Sequence, residues 1–423
     1  MSIFYNILFA LFSIIYFPYL IIKGKWHSQF KTRFGHFPSD WVEKLKGAKC
    51  IWIHAVSVGE VLMVVDLIKR IKSAFPHYKI ICSTVTKTGN KIAQENLDKS
   101  CVVIYAPLDF SWIVRKFISM INPEIYISTE TEIWPNLYTA LKKRGIPIFQ
   151  INGRISDNAF KGYHRARFLT QRVLSCVELF YMQSSLDAKR IKQLGAEADK
   201  VHVVGNLKFD TIPDLVEVTK VDMGFQAAED LLIAGSTHPG EEKILIDVYK
   251  KISGEFSNLR LVIAPRHIER TDEIVKIVEN LGYRAVRFSQ IHQGENNVQG
   301  AIVIVDTIGQ LRALYSLAKI VFIGKTLTVG GGQNMIESAY FGKPTIVGPL
   351  TQNFKDVVSI FKKSKAIIEV QNEEQLFDEI RTLLQDPQRA QQIGEAAMHT
   401  VREYQGSATK TVEAITGILG QKI

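Results

Sequence analysis

The sequence has little of what builds metal and redox sites. Four cysteines occur in 423 residues, Cys50, Cys82, Cys101 and Cys176, and no two stand as C-x-x-C. That excludes a disulfide framework and argues against a cysteine zinc site, leaving buried thiols in a reducing compartment as the simple reading. The ten histidines form no H-E-x-x-H, and no Asp-x-Asp occurs, which disfavours a metal-held sugar nucleotide. No G-x-G-x-x-G follows a strand, which argues against a dinucleotide dehydrogenase. Gly324-Lys325-Thr326 ends like a P-loop, but position 319, where that motif needs its first glycine, is Lys319. The tripeptide reads as a strand-end turn. No metal or cofactor is expected.

What is present is ordinary globular composition, 46% hydrophobic and 22% charged, which excludes wholesale disorder. The net charge of +10 favours acidic partners, though no nucleic-acid module is evident. The run from Ile3 to Ile22 carries no charged residue. As a helix it matches a bilayer core of about 30 Å, so a membrane anchor over residues 1–22 is expected. Lys23, Lys25, Lys31 and Arg33 follow it and nothing basic precedes it, so the positive-inside rule keeps the body cytoplasmic. Trp26, Phe30, Phe34 and Phe37 interleave with those cations, as at a headgroup boundary.

Beyond residue 50, short apolar runs alternate with amphipathic helical patterns. Strands are expected at 51–56, 79–85, 101–107, 125–129, 146–152, 179–184 and 201–206. A second array has them at 231–237, 259–265, 283–289, 301–307, 320–326, 344–349 and 366–370. This alternation implies α/β architecture, with two doubly wound, Rossmann-like parallel sheets. The expected division is a first domain over 23–210, a linker over 211–224, a second domain over 225–395 and C-terminal helices over 396–423. In such sheets ligands sit beyond the carboxyl ends of the strands, so chemistry is sought there.

The first strand ends in HAVSVGE, which puts Glu60 in the first turn of a helix. It is either a carboxylate answering the helix dipole or a general base. The fourth strand ends in STETEIWPN, with Glu130 and Glu132 two apart and Pro135 suited to a first helical turn. Two close acids split their pKa values, one protonated and one ionised, unless they merely cap the next helix. In the second array GSTHPGEE offers Ser236 and Thr237 as caps opening a helix whose N–H groups bind phosphate. Arg266 ends the next strand, suited to a carboxylate or phosphate. VGGGQNMIE brings Gly330, Gly331 and Gly332 into a turn whose N–H groups approach an anion, with Asn334 and Glu337 at a helix start. Together these suggest a nucleotide site.

These motifs, with RFG (33–35), STVTKTG (83–89), NGRIS (152–156), MQS (182–184), GNLKFD (205–210) and NFKD (353–356), are collinear over nearly the whole chain. The sequence resembles the bacterial 3-deoxy-D-manno-octulosonic acid (Kdo) transferases of lipopolysaccharide synthesis. The resemblance implies a two-domain glycosyltransferase of the GT-B type, metal-independent and inverting, at the inner membrane. Its first domain would receive the lipid A precursor and its second would bind CMP-Kdo. It also implies that Glu60 is the general base and that a second essential acid is Glu130, with Glu132 the alternative. Lys208, Arg266, the Ser236–Thr237 segment and the glycine loop would hold the donor. Gln333 and Met335 depart from the usual G-G-H-N-P loop, while Asn334 and Glu337 match it. Other readings are a UDP-sugar enzyme of the same fold, similar to lipid-A-disaccharide synthase, and a non-catalytic binding protein.

Overall fold

The computed structural model describes residues 2–22, 28–210, 218–292, 298 and 300–420. Seven strands form the first sheet: β1 (Cys50–His54), β2 (Lys79–Thr84), β3 (Val102–Tyr105), β4 (Pro123–Thr129), β5 (Ile148–Gly153), β6 (Leu179–Met182) and β7 (Val201–Val203). Seven form the second: β8 (Asp230–Thr237), β9 (Leu259–Pro265), β10 (Arg284–Arg287), β11 (Ala301–Ile304), β12 (Ile320–Ile323), β13 (Thr345–Val347) and β14 (Ile368–Glu369). Each overlaps one expected run, and every pairing among the described residues is parallel.

The first sheet has the order β3-β2-β1-β4-β5-β6-β7. From β1 the chain winds towards one edge, then returns to β4 and winds towards the other. The winding therefore reverses between β1 and β4, which opens a crevice at their carboxyl ends. The second sheet, β10-β11-β9-β8-β12-β13-β14, reverses in the same sense between β8 and β12.

Both faces of the first sheet are covered, so its strands read as continuous apolar runs. Alternation along β1 sends Cys50 and Trp52 into a cluster with Phe117, Tyr126 and Tyr138, and Ile51 and Ile53 into another with Val64, Leu67 and Ile68. Ala408, Ile415 and Leu419, from the helix Ser407–Leu419, complete that second cluster. The chain thus divides into Met1–Thr211 with Tyr404–Ile423, and Ile212–Glu403. Positions 211–217 of the expected linker lie outside the described residues.

The returning end is fastened at two points. The Asp210 carboxylate accepts the N–H groups of Gly406 (2.6 Å) and Ala408 (2.8 Å), capping the last helix. Gly205, at φ +92°, lies so close to Tyr404 that a Cβ would collide with its carbonyl oxygen.

The expected bilayer-spanning anchor is not found. Ser2–Ile22 is helical, but among the described residues no helix is long and apolar enough to cross a membrane. One side of this helix is instead occupied by the first unit. Asn6 donates to Ser111 Oγ (2.9 Å) and accepts from Asn136 Nδ2 (2.7 Å), and Phe9 packs edge-on against Phe110. Arg33, expected at a lipid surface, is buried; its Nε donates to the Ala106 carbonyl (3.0 Å) and its guanidinium lies over Phe30. Lys23, Lys25 and Trp26 lie outside the described residues.

Candidate active site

The crevice between β1 and β4 is where three carboxylates gather. Helix Val58–Ala74 starts shortly after β1, so Glu60 sits in its first turn, 8% exposed. Its Oε2 accepts the Val56 N–H (2.9 Å) and its Oε1 accepts the Ser57 hydroxyl (2.9 Å). The Thr129 hydroxyl, at the end of β4, lies 2.9 Å from Glu60 Oε2 and 2.8 Å from the His54 carbonyl. One hydroxyl proton serves one acceptor at a time.

Glu130 follows Thr129 at φ +57°, a left-handed conformation uncommon outside glycine, with its N–H on the Ile151 carbonyl (2.9 Å). Two residues on, the Glu132 carbonyl accepts the Tyr138 hydroxyl (2.8 Å). Burial first, then the charges of Glu60 and Glu130, push the Glu132 carboxyl up to about 7, against a smaller opposing pull from Trp134. A carboxyl poised there exchanges protons near neutral pH. Pro135 opens helix Pro135–Lys143, as expected.

Beneath the acids lies a layer that the sequence motifs do not mark. His54 Nδ1 lies 2.9 Å from Ser83 Oγ, and burial pushes the imidazole down to about 4, so it is neutral. Its ring packs against Tyr126 and Trp134. Asp109, fully buried and pushed up to about 7 by that burial, accepts the N–H groups of Asn136 (3.1 Å) and Leu137 (2.9 Å). It thereby caps the helix that follows Glu132. No local pattern announces it, because its partners lie 27 and 28 residues on.

The second sheet presents its own set at β8, β9 and β12. Ser236 is at φ +56° and Thr237 is the last residue of β8, its Oγ1 buried with no partner among the described residues. They do not cap a helix: helix Glu241–Ser253 starts later, with Gly240 as its cap. The cause is Glu241, whose carboxylate accepts the N–H groups of His238 (2.9 Å), Lys325 (2.8 Å), Thr326 (2.9 Å) and Leu327 (3.0 Å). Exposed Arg266 follows β9, its N–H on the Thr237 carbonyl (3.1 Å).

In the glycine loop the Gly331 N–H meets the Leu350 carbonyl (2.9 Å) and the Gly332 N–H meets the Lys325 carbonyl (2.7 Å). These two amides are thereby taken, against the expectation that they face an anion. What the loop offers a ligand is close approach without side chains. Asn334 Nδ2 donates to Glu337 Oε1 (3.2 Å), which also pairs with Arg312 (3.5 Å), a residue the motifs do not flag. Lys208 belongs to the first unit, in the turn Leu207–Asp210. Among the described residues no cluster of three His, Cys, Asp or Glu side chains is arranged to hold a metal ion.

Known proteins resemble both units. The family described as 3-deoxy-D-manno-octulosonic-acid transferase (kdotransferase) matches residues 28–211, and glycosyl transferases group 1 matches residues 242–400. A 3-deoxy-D-manno-octulosonic acid transferase of Haemophilus influenzae is 28% identical over 88% of this chain and 88% of its own. The first unit thus matches the Kdo transferase family model, and curated Kdo transferases are similar to most of the chain. The chain is a glycosyltransferase. A bifunctional glycosyltransferase/methyltransferase of Fusobacterium nucleatum is 34% identical over 90% of this chain, which spans 58% of that relative's length. A solved glycosyltransferase from Rickettsia africae shares the fold, with TM-score 0.52, 15% identity and 88% of this chain covered. The first-unit match ends at residue 211, so the three carboxylates all fall within it.

Proposed function

We propose that this protein transfers Kdo from CMP-Kdo to a lipid A precursor, with inversion and without a metal. The observation that carries the reading is the convergence of Glu60, Glu130 and Glu132 at the β1/β4 crevice, with Glu132 poised near neutrality. Glu60 takes the proton of the acceptor hydroxyl as that oxygen bonds to the anomeric carbon. The bond from that carbon to the CMP phosphate breaks on the opposite side, and its electron pair leaves with the phosphate. Arg266, Lys208 and the Ser236–Thr237 segment serve the donor's negative charge, and the bare backbone of Gly330, Gly331 and Gly332 lets it approach. Glu132, half protonated at rest, keeps the crevice from holding three full charges and is our choice for the second acid.

The acceptor is a lipid, and helix Ser2–Ile22 offers a seat beside it. One side packs on the first unit while Phe4, Ile7, Leu8, Leu11, Phe12 and Ile14 remain exposed. A helix of that kind lies in the plane of a bilayer surface, and we place it at the cytoplasmic face of the inner membrane.

The test is a transfer assay of the full chain with CMP-Kdo and a lipid A precursor. Glu60→Gln should lower the rate by about 10²–10⁴-fold with CMP binding intact. A near-normal rate in that variant removes Glu60 as base. No transfer by the unaltered chain, with UDP stabilising it more than CMP in a thermal-shift comparison, replaces the reading with a UDP-sugar enzyme.

A further inference from the structure

Lys325 stands where a glycine would be expected. It follows β12 at φ +61°, a left-handed conformation that L-residues avoid. The neighbouring fold is built around its backbone. Its N–H is held by Glu241 (2.8 Å), and its carbonyl receives the Gly332 N–H (2.7 Å). Its side chain then runs beneath the glycine loop: a Cβ on Gly331, itself at φ +130°, would stand 3.1 Å from Lys325 Cε. A side chain at position 331 would press on this stem and on Asn353 Nδ2, 3.0 Å away, as well as straining the backbone.

The ammonium at the end of that stem has no carboxylate partner among the described residues. Glu241, the acid that holds its backbone, is already committed to four N–H groups. The cation is felt by His238, whose imidazole is held below its ordinary value mainly by burial and in part by Lys325 and His267. His238 and His267 meet edge to face at 5.9 Å where β8 and β9 end, next to Arg266. Two amides of the glycine loop are spent on carbonyls, so an anion seated there needs another source of positive charge. A half-buried cation, bent under that loop, lies at the point where the second sheet reverses.

We propose that Lys325 is a donor-anion ligand, its ammonium reaching through the glycine loop to the phosphate of the nucleotide. This rests on the CMP-sugar reading above. The position is well suited to test it, because glycine accepts a left-handed backbone and Lys325→Gly removes the cation without strain. Lys325→Met removes it while keeping the stem.

The experiment is calorimetric titration of the full chain with CMP at two salt concentrations. Both variants should bind CMP about tenfold more weakly or worse, as loss of one charge-assisted contact implies. Both should also show a flatter decline of affinity with salt, because one counter-charge has gone. A merely structural role does not change that slope. Unaltered CMP affinity in Lys325→Gly, or a slope equal to that of the parent, overturns the assignment and leaves the donor reading standing. Failure of the parent chain to bind CMP overturns both.

Discussion

Replacing Glu132 by Gln is expected to stabilise the protein, and more so at high pH. Its carboxyl moves from an ordinary 4.5 to about 7 in the folded chain. Between those values the folded state holds a proton that the unfolded chain has released. Stability therefore falls as pH rises through this window and is fully present only below it. The deficit reaches about 3 kcal/mol at pH 8 and about 1 kcal/mol at pH 5. Gln keeps the shape and cannot ionise, so it relieves the deficit at both pH values. The gain at pH 8 should exceed that at pH 5 by about 2 kcal/mol, or about 4–8 °C in the midpoint of a domain this size. Thermal unfolding of parent and variant at the two pH values measures it, with effects common to both chains cancelling. Equal gains at the two pH values, or destabilisation at pH 8, refutes the account of Glu132. The variant should gain this stability while losing transfer, because the strained charge is what makes the crevice reactive.

Two further perturbations test the rest of the framework. Arg266→Ala should weaken CMP-Kdo binding while leaving the thermal midpoint unchanged, since the side chain is exposed; unchanged affinity by calorimetry removes it from the donor site. Gly205→Ala should destabilise the first unit by about 2 kcal/mol or more, combining left-handed strain with a close approach to the Tyr404 carbonyl; an unchanged midpoint would mean the crossing is not tight.

The strands are legible in the sequence because burial on both faces leaves continuous apolar runs, and β1 and β4 show this plainly. The acids after them are legible for the same reason: a carboxylate directly after such a run must lie at the strand's end. Their coupling is legible only in part. Spacing pairs Glu130 with Glu132, whereas Glu60 joins them through the pairing of β1 with β4, which no local pattern encodes. The Ser236–Thr237 segment looks like a cap because the sequence shows hydroxyls ahead of a helix. It does not show that Glu241 binds the amides of a loop far along the chain. Lys325 fails the P-loop spacing, a test that ignores its own backbone angle. In the N-terminal helix the uncharged run reads as lipid-facing, yet its Asn6 is a hydrogen-bonding foothold on protein.

The helix Ser407–Leu419 sets an order on biosynthesis. It fills one core of the first unit, yet the whole of Ile212–Glu403 is made before it. At roughly 5–20 residues per second, the ribosome needs about 10–40 s to cover that interval. Throughout it the nascent first domain carries an open apolar seat over the helix Val58–Ala74, with Asp210 waiting for the amides of Gly406 and Ala408. The emerging chain is then an incomplete product that chaperones can hold, and a premature stop anywhere between residue 211 and that helix spoils the domain already made. Quality control of the first unit is thus tied to completion of the second.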